Sequence, residues 1–147
     1  MRPLPALLNL ALLSLALLSL ALPAAPAAAD GASGQGKADF GKLCAPCHGI
    51  DGKGGGPQAP HLARKPADLT MVTRKYGAFP GEKVFGTIAG LDMPDGHGTR
   101  EMPVWGDVFV TEEVGKSTRV ADAMKASGEA SRRIAGLVSY VQSIQAP

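Results

Sequence analysis

Cys44-Ala45-Pro46-Cys47-His48 contains both cysteines of the 147-residue chain and one of its three histidines. On one helical turn Cys44, Cys47 and His48 sit at i, i+3 and i+4 and share a face. Two sulfurs so spaced can each bond the edge of a porphyrin, and the imidazole can stand under its iron. C-x-x-C-H is the attachment pattern of a c-type haem. Two other readings are weaker. A thioredoxin-like dithiol expects a βαβ surround, and no such pattern flanks the motif. A zinc site needs a second C-x-x-C or a histidine pair, and neither follows.

Composition agrees with the motif. The length suits one domain. A formal net charge of +2 without a basic run excludes nucleic acid as a partner. Nineteen glycines and twelve prolines imply long irregular segments and few large apolar side chains. A buried haem would supply the apolar mass that the sequence lacks.

The N-terminus reads as an export signal. Arg2 is the positive end, Leu4 to Leu22 is almost wholly apolar, and Pro23 and Pro26 break the run. Ala27-Ala28-Ala29 then offers a small-residue cleavage site before Asp30. A retained anchor is the alternative, since the run approaches the ~20 residues that span a bilayer. The proline break and the A-x-A site favour cleavage. The expectation is a signal peptide over 1–29, a mature domain over 30–147, and a periplasmic location with no membrane span after cleavage.

Along the mature chain, Ser33 is the expected N-cap of a short helix ending near Leu43. Gly36, Phe40 and Cys44, spaced by four, share its face. Gly49 to Ala59 is a glycine-rich loop that would wrap the haem edge. A metal-bound histidine usually gives its second ring N–H to a carbonyl or carboxylate. The Pro60 carbonyl is the expected acceptor for His48, with Leu62 packing on the haem face and His61 turned to solvent. Asp68 should open a short helix. Glu82 to Ile88 should form another, with Val84, Phe85 and Ile88 on the core and Gly90 at its end. Met93, His97 and Met102 are three possible axial ligands. Pro94 and Pro103 keep the backbone before them extended. From Ser131 an apolar stripe of Ile134, Leu137, Val138, Val141 and Ile144 marks the clearest helix. Thr118 to Ala126 is a weaker helical pattern, and the rest of Val110 to Gly128 reads poorly.

Taken together, these pieces resemble a bacterial class I cytochrome c. The likeness rests on Cys44-Ala45-Pro46-Cys47-His48-Gly49 and on Met102-Pro103-Val104-Trp105-Gly106, which is similar to the family's methionine segment. Gly36, Phe40 and Cys44 resemble its first helix. Leu137 and Tyr140 resemble the residues by which its last helix crosses that glycine. Pro60 and Leu62 resemble its haem-wrapping segment. The resemblance implies a small all-α domain enclosing one covalent haem c. It implies His48 as proximal ligand and Met102, rather than Met93 or His97, as distal ligand. Trp105 would donate to a propionate or pack on the haem edge, and Arg64, Lys65 and Arg100 are further propionate candidates. The implied function is one-electron transfer between redox partner proteins, with no bond chemistry, because both axial positions are filled. A thioether ligand raises the potential. Residues 111–127 are longer than the family's usual link and could dock a partner. The alternative function is therefore a haem subunit or relay domain of a membrane or periplasmic oxidoreductase complex. A haem enzyme or gas sensor would require Met102 not to bind.

Overall fold

The computed structural model describes residues 29–92, 102–115 and 117–147. Among these residues there are helices and turns and no strand, as an all-α domain requires. Helix α1 spans Ala29–Asp39 and runs through a single π-helical turn, Phe40–Cys44, into α2, Ala45–His48. Short turns at Ala59–His61 and Leu69–Met71 lead to α3, Val72–Tyr76, and then α4, Gly81–Ala89. Helix α5 is Trp105–Val114 and α6 is Val120–Ser143.

Helix α6, at 24 residues, is about 36 Å long. Helices α1, α4 and α5 all pack on it. The two helical patterns expected over 118–126 and from 131 are one helix, since Gly128 does not interrupt it. Ala126 and Ala130 are buried on its packed side. Alanine is the best helix former and presents no side-chain stripe, so this half of α6 is stable yet poorly signalled. Helix α1 begins before Ser33, which is therefore not its N-cap.

Helices α1 and α6 cross glycine on glycine. A Cβ on Gly36 would overlap the carbonyl of Gly136. Leu137 beside it is fully buried. Tyr140, one turn on, packs its ring on Phe40 at 4.8 Å between centroids and 52° between planes. The expected face is thus used, and the backbone contact itself falls on Gly136. Phe40, Phe109, Ile134, Leu137 and Val141 form the centre of the core, with Ile88 from α4. Val84 and Phe85 pack against it, and Gly90 ends α4 in the left-handed region at φ 83°, its N–H on the Gly86 carbonyl.

Candidate cofactor site

The motif sits where the first helix changes its winding. Pro46 has no N–H, and its ring would collide with the Lys42 carbonyl in a regular α-helix. The turn before it is widened, with the Ala45 N–H reaching back to the Phe40 carbonyl. A π-turn of this kind relieves that clash. Cys44 and His48 then face one cavity of about 390 Å³. Cys47, half-buried, is not on its wall. At 3.6 residues per turn, His48 lies about 40° from Cys44 around the axis and Cys47 about 60° to the other side. Cys47 thus belongs at the cavity's margin. Burial pushes the Cys44 thiol up to about 12, with Asp39 and Cys47 adding to the shift.

The glycine-rich loop has a different task from the one expected of it. It caps α2. The last four carbonyls of a helix have no partner within it. Here Ala45 O accepts from Gly49 N–H at 2.8 Å, Pro46 O from Gln58 at 2.8 Å, Cys47 O from Gly56 at 3.0 Å and His48 O from Gly54 at 2.6 Å. A side chain on Gly56 would run into the carbonyls of Pro46 and Ala45. The loop must lie this close for its N–H groups to reach.

His48 is buried, and its Nδ1 lies 2.9 Å from the Ala67 carbonyl. A carbonyl only accepts, so Nδ1 carries the proton and Nε2 keeps its lone pair. Burial lowers the His48 pKa, and the Ala67 contact opposes that shift. Two expectations are corrected here. The acceptor is Ala67, not Pro60. Leu62 is also not on the cavity wall, which Ala67, Asp68 and Leu69 supply instead. The reason is the capping loop: by bonding to α2 as far as Gln58 it leaves Pro60 exposed beyond the helix end. The chain returns to the site only at Ala67, and it is held there by Leu69, whose N–H donates to Gly52 O at 2.7 Å. Asp68 opens the next turn as expected, accepting from Thr70 N–H at 2.9 Å. His61 is exposed, as expected.

Met102 and Trp105 reach the same cavity from the segment before α5 and from its first residue. Their placement depends on glycines. A Cβ on Gly90 would overlap the Val104 side chain, and one on Gly106 would meet the Ala89 carbonyl. The segment is thereby pressed against the end of α4. Met93, His97 and Arg100 lie outside the described residues. Arg64 and Lys65 are exposed and off the wall, whereas Lys75 and Lys83 are on it. No local signal singles out these two lysines, which reach the wall from α3 and α4.

The wall suits a large, flat, mostly apolar group with an iron centre. Ile88, Leu137, Val141 and Leu69 are apolar, while an imidazole with a free lone pair and a thioether offer metal-binding atoms. Trp105 Nε1 is buried without a hydrogen-bond partner among the described residues. An orphaned donor at this position asks for an acceptor on the bound group, and a haem carboxylate is one. The volume falls within the usual ~300–1,000 Å³ of ligand sites. No curated protein and no solved structure gives a significant match to the chain. A family model described as Cytochrome c matches residues 33–104, which include the cysteine motif, the capping loop, Ala67 and Met102. The chain carries an all-α cytochrome c domain of the electron-carrying kind, and its cofactor is a covalently attached haem c.

Proposed function

We propose that this protein is a bacterial class I cytochrome c that shuttles single electrons in the periplasm, exported by residues 1–29 and cleaved before Asp30. Haem c supplies one-electron exchange between Fe(II) and Fe(III). Cys44 and Cys47 hold it by thioether bonds, His48 donates Nε2 to the iron, and Met102 donates its sulfur. Trp105 donates its indole N–H to a propionate. The observation that carries this reading is that His48 and Met102, distant in sequence, line one cavity. With His48 and Met102 both holding the iron, no position would be left on it for a substrate. The protein then needs only a weak docking surface for its redox partners, since such encounters bury little area.

The test is spectroscopic. The ferric protein should show the weak long-wavelength band of a sulfur–iron bond. Met102→Ala should abolish the band and open the reduced iron to carbon monoxide, while Met93→Ala leaves both unchanged. Carbon monoxide binding by the unaltered protein at neutral pH would point instead to an open-site enzyme or sensor.

One observation favours a second reading, a fixed relay in a larger oxidoreductase complex. Val120 and Met124, at i and i+4 near the start of α6, are 76% and 72% exposed. Co-purification of the protein with a larger oxidoreductase, lost in Val120→Lys, would support it.

A further inference from the structure

The carbonyl that holds His48 belongs to a segment gripped from two sides. On one side Leu69 N–H donates to the Gly52 carbonyl at 2.7 Å. On the other stands Gln145, just past the end of α6. Its Nε2 donates to the carbonyls of Leu69 and Val141, both at 2.7 Å, and its Oε1 accepts from Thr73 N–H at 2.7 Å. Two carbonyls on one end of the amide and an N–H on the other fix which end is nitrogen. The amide thus ties α6 to the first residue of the turn that follows Ala67 and Asp68 and to Thr73 in the first turn of α3. Ala146 N–H adds a bond to Thr70 O at 2.8 Å. Gln145 does not itself line the cavity, yet the two residues whose carbonyls it holds, Leu69 and Val141, do.

We propose that Gln145 is a positioning residue for the proximal ligand: it fixes the Ala67 carbonyl that accepts from His48 Nδ1, and so tunes how strongly Nε2 donates to the iron. The proposal rests on His48 being that ligand. The physics is direct. A well-placed acceptor on Nδ1–H makes the imidazole more electron-rich and a stronger ligand, which favours Fe(III) and lowers the potential. Releasing the segment lengthens or breaks that bond and raises the potential. The three bonds need the full reach of glutamine; asparagine is one methylene shorter.

The test uses the full-length holoprotein with Gln145→Met, which keeps length and loses all three bonds. Gln145→Glu is the second variant: it keeps an acceptor for Thr73 N–H and loses both donations, so it gives a result if Gln145→Met does not accumulate. Ala130→Gly, in α6 but away from this turn, is the control for simple loss of stability. In both Gln145 variants the solvent exchange of His48 Nδ1–H, followed by paramagnetic NMR, should speed by about tenfold, and the midpoint potential should rise. Ala130→Gly should lower the melting temperature and move neither. If the Gln145 variants also lose only melting temperature, the proposal is overturned. If His48 ring protons of the unaltered protein show no paramagnetic shift, His48 is not the ligand, and that failure is visible before any variant is made.

Discussion

Gly36 and Gly136 meet backbone to backbone, so neither side of the contact can give way. Gly36→Val would press a branched side chain on the Gly136 carbonyl. Overpacking of this kind costs ~1–3 kcal/mol or more, and the melting temperature should fall by at least about 5 °C, with a lower yield of holoprotein. A neutral result would show that the helices do not cross here. The crossing at Gly36 was implied by the family resemblance, whereas the face shared by Gly36, Phe40 and Cys44 and the grouping of Cys44, Cys47 and His48 could be read from spacing. The His48 acceptor could not. Pro60 and Ala67 are both plausible by distance along the chain, and the choice depends on where the 49–58 loop is bonded. Asp68, followed by Thr70, was the one local signal that a turn formed there. Trp105 could be read as a cavity residue, but its lack of a partner needed three dimensions.

Helices α1, α5 and α6 are joined by one cationic side chain. Arg133 on α6 donates to Asp39 of α1 at 3.0 and 3.1 Å and to Glu112 of α5 at 2.8 Å. Its guanidinium also lies 3.8 Å from the centre of the Phe109 ring. Asp39 holds the Arg133 pKa well above its ordinary value, against the effect of burial, with Glu112 helping. The Asp39 side chain is only 5% exposed. Removing its partner leaves a buried charge uncompensated, so Arg133→Met should cost about 3–5 kcal/mol, read by denaturant unfolding. Asp39→Asn combined with Arg133→Met should recover much of that loss. Equal losses in the single and double variants would show that Asp39 is not what Arg133 compensates. Helix α4 was readable from Val84, Phe85, Ile88 and Gly90. Helix α5 was not, although Phe109 is fully buried. Its sequence mixes apolar and acidic residues without a clean stripe, because it is packed by α6 on one side and by α4 near its start. The capping loop is testable in the same way. Gly56→Ala would push the loop off the Pro46 and Ala45 carbonyls and should reduce holoprotein yield, whereas a loop that merely wraps the cofactor would tolerate the methyl group.

Ile88, Leu137 and Val141 belong both to the core and to the cavity wall, so a bound cofactor would complete the packing. Intact-mass analysis of exported protein should show one haem retained after denaturation and acid extraction. Cys44→Ser with Cys47→Ser should remove it and lower the melting temperature, because a ligand that binds only the folded state stabilises that state. N-terminal sequencing of the periplasmic fraction should begin at Asp30; recovery only in membranes with Arg2 present would mean a retained anchor. Folding order follows from the α1–α6 crossing. The helix leading into the cysteines finds its principal partner in α6, so the crossing residues Gly36 and Gly136 lie 100 positions apart in the chain. Such contacts form late, and chains emerge N-terminus first. Until α6 arrives, Cys44 has no wall over it. Afterwards its thiol is pushed up to about 12, where the reactive thiolate is scarce at neutral pH. The late closure of this one helix pair therefore sets a clock for Cys44: its sulfur must react with the cofactor in the interval before α1 and α6 meet.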